Sequence, residues 1–99
     1  MEVTFTTEDQ SIEVKLVYII KPRYHNYPGI GKCWPKHTQC LMFINGLIVG
    51  YGEVVKHQID EDNQRYAIIA ATKKVIWKLH FIDIRKELWK QIFELTKDM

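Results

Sequence analysis

Four residues of metal-ligand type fall close together: His25, Cys33, His37 and Cys40, spaced His-x7-Cys-x3-His-x2-Cys. Structural zinc takes four nitrogen or sulfur ligands, usually from paired close spacings. A metal tie is physically sensible for the irregular segment that carries three of the four. The spacing matches no finger or ribbon pattern, however. The plainer reading makes Cys40 a buried strand residue, Cys33 a small apolar filler and both histidines solvated. A Cys33–Cys40 disulfide is a third reading, disfavoured in a reducing cytoplasm. The expectation is therefore no metal and no cofactor; if a metal is present, these four are the ligands to test.

A second set mixes cations with aromatic rings: Lys21, Arg23, Tyr24, Tyr27, Lys32, Trp34 and Lys36. Rings stack bases and cations hold phosphates, which is the mixture that single-stranded or flipped-base recognition requires. The competing reading packs the rings onto the domain and leaves the lysines in solvent. Trp34, beside Pro35 and just before an apolar strand, fits packing best. Charge patterning favours a basic surface here. No acidic residue occurs between Glu13 and Glu53, an interval that also holds Lys15, His25 and His37, although the net charge is only +2. The positive character is thus local rather than general.

No set of residues spells a catalytic motif. Gly29-Ile30-Gly31-Lys32 lacks the spacing of a phosphate loop and precedes no helical pattern. Glu53, with Lys56 and His57 near it in sequence, reads as an outward-facing strand residue rather than a general base. No catalytic residue is assigned.

The elements that position these groups are mostly strands. Cys40 to Val55 holds two apolar β-rich runs flanking Asn45-Gly46, the strongest short-range hairpin signal, since a type I′ turn needs positive φ at both central residues. Gly50 and Gly52 in the second run imply a bulge, a bend or a close backbone approach. Residues 2–7 predict a short edge strand. Residues 12–20 predict a clear strand with Val14, Leu16, Tyr18 and Ile20 on one face, and with Val17 and Ile19 making part of the other face apolar. Lys21 to Gln39 contains all three prolines and shows neither period, so it reads as a long functional loop. Gln58 to Gln64 reads as a solvated turn around Asp60-Glu61-Asp62-Asn63. Arg65–Ala71 reads as a fourth strand, Thr72-Lys73-Lys74 as a turn, and Val75–Ile82 as a fifth strand with Val75, Trp77, Leu79 and Phe81 on one face. The period then becomes helical. Ile84, Leu88, Ile92 and Leu95 form one stripe with Trp89 and Phe93 beside it, Asp83 serves as N-cap, and Glu87–Lys90 and Glu94–Lys97 are placed to pair.

The stretch Leu47-Ile-Val-Gly-Tyr-Gly-Glu-Val-Val55, with Trp34 and Cys40–Ile44 before it, resembles the PUA-like superfamily, which includes the ASCH and EVE domains. The likeness spans about residues 12–82. It implies a small β-barrel and either RNA binding or recognition of a modified base. The Glu and Arg positions that follow Gly-x-Lys in ASCH domains have no counterpart between Lys32 and the hairpin.

Ninety-nine residues suffice for one core. The expected fold is mainly β (α+β): one domain, 1–99, with a five- to six-stranded PUA-like barrel over about 2–82 and a single C-terminal helix over about 84–97. The expected function is a nucleic-acid-binding module, for RNA or another single strand, using the 21–39 loop at the barrel rim. The alternative is a protein-interaction or inhibitor module using the same rings, and a third, weaker reading is an ASCH-type hydrolase acting on a nucleoside. The sequence shows no leader pattern and no apolar run of membrane length, so a cytoplasmic protein without a membrane partner is expected.

Overall fold

The computed structural model describes residues 1–29, 31–33, 35–56 and 64–99, with the backbone alone for His25, Tyr27, Cys33 and Lys56. The class is α+β. The strands are β1 (Glu2–Thr6), β2 (Glu13–Pro22), β3 (His25–Tyr27), β4 (Gly31–Cys33), β5 (Lys36–Ile44) and β6 (Leu47–Lys56). Two helices follow, α1 (Gln64–Ile76) and α2 (Ile82–Thr96). β1, β2, β5 and β6 form one antiparallel sheet in that order, and β3 pairs with β4 in a separate two-stranded ribbon. Among the described residues the main sheet is open, with β1 and β6 as its edges, and does not close into the expected barrel.

The Asn45-Gly46 turn forms as the sequence predicts. Asn45 has φ 50° and Gly46 φ 82°, the left-handed pair that a type I′ turn needs. Asn45 also ties this hairpin to β2: its Oδ1 accepts from the Glu13 N–H at 2.8 Å, and its own N–H donates to the Glu13 carbonyl at 2.9 Å. In β6 the register slips opposite Met42 and Phe43, which pair with Gly50 and Ile48, so Val49 is the extra residue of a bulge.

Strand alternation sorts the side chains. Val14, Leu16 and Tyr18 of β2, Thr38, Cys40 and Met42 of β5, and Val3 of β1 are buried against the helices. Gly52 explains how closely α1 approaches. A Cβ there would lie 2.6 Å from the Ala71 carbonyl oxygen and 2.8 Å from Lys74 Cβ. Its backbone angle is ordinary, so the close approach, not strain, requires glycine. Buried Tyr18 meets Thr72 across this interface at 2.5 Å, and Thr72 donates to the Ile68 carbonyl at 2.7 Å. Thr72 has one hydroxyl hydrogen, so Tyr18 is the donor of the pair. Burial, and then neighbouring Cys40, push the Tyr18 phenol upward in pKa.

Several sequence expectations are corrected here. Residues 65–71 and 72–74 are helical, and Val75 and Ile76 finish the same helix, where two strands and a turn were expected. Ile68, Thr72, Val75 and Leu79 are all buried and recur at helical, not strand, intervals. Ala67, Ala70 and Ala71 add strong helix propensity. The alternation of Val75, Trp77, Leu79 and Phe81 is coincidental: Trp77 and Phe81 are exposed, while Val75 and Leu79 are buried four residues apart. Among the described residues there are thus two helices, and α2 does have a helical neighbour. Within α2, Ile84, Leu88 and Ile92 are buried as expected, but Leu95 is exposed and Thr96 takes its place. Asp83 lies in the first turn, while the N-cap position is Phe81. Of the two expected ion pairs, Glu94–Lys97 forms at 2.7 Å and Glu87–Lys90 does not. At the far end of β2 the apolar residues of both faces, Ile19 and Ile20, are exposed, so Ile20 does not continue the buried face of Val14, Leu16 and Tyr18. The turn expected at 58–63 lies outside the described residues; Gln64 opens α1.

Candidate nucleic-acid interface

The face of the sheet away from the helices has no element packed over it among the described ones. Alternation places Lys15, Val17, Ile19 and Lys21 of β2 on it, with His37, Gln39, Leu41 and Phe43 of β5 and Ile48, Tyr51, Glu53 and Val55 of β6. At one end of this face three polar side chains interlock. Glu53 accepts from the Tyr51 hydroxyl and contacts His37 Nδ1. The register explains the contact: Gln39 pairs with Glu53 and His37 with Val55, so His37 and Glu53 are diagonal same-face neighbours. Tyr51 and Glu53, two apart on β6, point the same way.

The electrostatics follow from these bonds. The Tyr51 hydroxyl, and then His37, hold the Glu53 carboxyl below its ordinary value, and Arg23 adds a smaller effect. The bond to Glu53 is also the main reason that the Tyr51 phenol is raised, since losing that proton would set two anions side by side. The contact of Nδ1 with the carboxylate fixes the orientation of the imidazole ring. The cluster can therefore orient hydrogen bonds and hold a proton. It brings no nucleophile with it.

The basic, aromatic segment is more ordered than the expected loop. Lys21 and Pro22 end β2, with Lys21 opposite His37 and Pro22 opposite Lys36. The Arg23 N–H donates to the Pro35 carbonyl at 3.1 Å, which closes the neck of the β3–β4 ribbon. Lys32 is exposed on β4 and Tyr24 is exposed before β3. Lys21, Arg23, Tyr24, Lys32 and Lys36 are thus carried on one continuous strand–ribbon–strand segment. The Tyr27 and Trp34 side chains, also singled out in the sequence, lie outside the described residues. Lys15 stands apart: it shares the opposite end of the sheet with Glu2 and Glu13.

The four metal-ligand types do not gather around one point. His37 is on the open face and Cys40 on the covered face, as an odd spacing within a strand dictates. His25 and Cys33 are cross-strand partners in the ribbon, with side chains outside the described residues. Burial pushes the Cys40 thiol up to about 11, so its thiolate is scarce at neutral pH. Among the described residues no three His, Cys, Asp or Glu side chains are close enough to hold a metal.

Sequence reasoning passed over the Glu53–Tyr51–His37 cluster. The signal was present in the hairpin itself: fixing the turn at Asn45-Gly46 sets the register that brings position 53 beside positions 37 and 39, apart from the one-residue bulge. No protein-family model, curated protein or solved structure matches this chain. No described helix is long and apolar enough to cross a membrane.

Proposed function

We propose that the protein is a nucleic-acid-binding module whose contact surface is the β2–β5 end of the open sheet face together with the β3–β4 ribbon. The observation that carries this reading is the grouping there of Lys21, Arg23 and Lys32 with exposed Tyr24 and Tyr51, with Lys36 beside them at the start of β5 on the opposite face. Among the described residues, the carboxylate at this end, Glu53, is engaged by Tyr51 and His37 and feels Arg23. Cations of this kind pair with phosphates, and exposed tyrosine rings accept stacked bases. The likeness of β6 to the PUA-like Gly-x-Gly strand points the same way, but the open sheet makes surface chemistry the better support.

The test is a titration with labelled single-stranded RNA and DNA at two salt concentrations. Tyr24→Ala should lose ~1–3 kcal/mol if it stacks a base. Arg23→Ala or Lys32→Ala should weaken binding to all sequences and lower the salt slope by about one. Binding that is unchanged in all three variants would remove this surface from the account.

A second reading, a protein-interaction module, is favoured by one specific feature. Leu47, Ile48, Val49, Tyr51 and Val55 are exposed along β6, which is an edge strand. Such a surface would bind a partner with little salt dependence, whereas phosphate binding weakens steeply with salt.

A further inference from the structure

The helical layer carries another cationic surface, on the far side of the sheet from the one above. α1 and α2 meet along an open groove of about 760 Å³ that continues into a hollow of about 390 Å³; Lys73, Lys86 and Trp89 line both. Lys90, Lys97 and Phe93 extend the lining at one end, and Arg85 and Trp77 at the other. Among the described residues, the one carboxylate on this lining, Glu94, is bound to Lys97 at 2.7 Å. No acidic residue occurs from Gln64 to Ile82. Among the described residues, Lys73, Arg85, Lys86 and Lys90 form no ion pair with a carboxylate. Lys86 and Lys90 stand one turn apart on the same helical face, a like-charge spacing that a bound anion relieves.

The rings in this groove are presented, not buried. Trp89 and Phe93 stack with centroids 5.4 Å apart and planes 19° from parallel, which leaves Phe93 45% exposed. Trp77 is 61% exposed and anchored by its indole N–H, which donates to the Lys74 carbonyl at 2.9 Å. Arg65 lies over the Phe93 ring at 6.0 Å and Lys78 over the Trp77 ring at 5.8 Å, and such alternation of cations with partly exposed rings suits a ligand that alternates phosphates with flat bases. An acidic peptide would satisfy the cations but offer no flat group to stack on the rings. We propose that the α1–α2 groove is a binding site for single-stranded nucleic acid, with phosphates held by Lys73, Lys86 and Lys90 and bases stacked on Phe93 and Trp77. The site stands on its own residues and does not depend on the sheet-end reading.

The test uses the full chain with fluorescent oligo-dT and oligo-U of about twelve nucleotides, within the usual site size for such surfaces. The Lys86→Ala/Lys90→Ala double variant should retain the wild-type melting temperature, because both side chains are exposed. It should bind more weakly and lose about 1.4 from the salt slope, at ~0.7 per phosphate contact on a single strand. Phe93→Ala should weaken binding by about five- to a hundredfold. Arg23→Ala/Lys32→Ala, run alongside, separates the two surfaces. If that variant loses all binding and the groove variants lose none, the groove proposal falls and the sheet-end reading stands; the reverse result removes the sheet end and keeps the groove. Competition by polyglutamate as effective as by unlabelled oligonucleotide would overturn the assignment to nucleic acid.

Discussion

The covered and open faces of the main sheet share four strands, and alternate residues of each strand serve one or the other. On the covered face, Val14, Leu16, Cys40 and Met42 are buried among helix side chains, and contact with α1 is close enough to exclude a Cβ at position 52. On the open face the apolar residues are half-buried or exposed, and order comes from the Glu53–Tyr51–His37 hydrogen bonds. Packing energy is thus concentrated on one side of a sheet one residue thick. The other side is left for chemistry that does not hold the fold together.

The sharpest test of this division is cavity formation. Leu16→Ala or Met42→Ala should destabilise by ~2–5 kcal/mol. Leu41→Ala, half-buried with no helix above it, should cost under about 2 kcal/mol. Urea unfolding of the three variants measures this, and equal losses would abolish the distinction. The two β6 glycines give the next largest effect. Gly52→Ala must push α1 away and should cost ~1–3 kcal/mol. Gly50→Ala, whose new methyl would meet Met42 and Val75 at an ordinary 3.5 Å, should stay within about 1 kcal/mol.

Smaller effects come from the hydroxyls. Tyr18→Phe removes a buried bond to Thr72 and should cost ~1 kcal/mol. Tyr51→Phe on the open face should change stability by less than about 0.5 kcal/mol. It should instead raise the Glu53 carboxyl, because the bond that chiefly holds that pKa down is lost; an NMR titration of Glu53 reads the change.

The smallest effect is that of pH. Glu53 titrates lower in the folded chain than its ordinary 4.5, so its contribution to stability is present above that value and fades as pH falls through the folded one. Glu53→Gln should cost under about 1 kcal/mol at neutral pH and flatten stability on the acid side. Asp9 behaves likewise in the β1–β2 turn. Bonds from the Thr7 hydroxyl and from the Ser11 N–H and hydroxyl hold it at about 2, so the Glu53 variant should retain some acid dependence at lower pH.

The strands were legible where a turn or an alternation was decisive. Asn45-Gly46 marked the hairpin, and Val14, Leu16 and Tyr18 marked the inner face of β2. α1 was hidden because Tyr66-Ala-Ile-Ile-Ala-Ala-Thr is apolar on nearly every side, so a short window shows no period. Only the longer interval from Ile68 to Leu79 reveals the helix. That error also concealed the groove, since Lys73 was assigned to a turn rather than to a helix facing α2. The 21–39 segment reads in sequence as a long loop without a strand period, but its prolines and glycines frame a small ribbon between two long strands. The Glu53 cluster required register as well as strand identity, and Val49 shifts that register by one within β6.

Lys74 has a consequence beyond the helix that carries it. Its Nζ donates to the Glu53 carbonyl at 2.6 Å, on a strand whose outer side has no neighbour in the sheet. A cation held against the backbone of an exposed strand, with a bulge at Val49 further along it, makes the edge a poor template for another chain. The exposed residues Leu47, Ile48, Val49, Tyr51 and Val55 would otherwise make β6 prone to amyloid-like stacking. Lys74→Ala should shorten the lag before thioflavin-positive aggregates appear in agitated solution. One lysine side chain hydrogen-bonded to one backbone oxygen thus occupies an acceptor that an added strand would need.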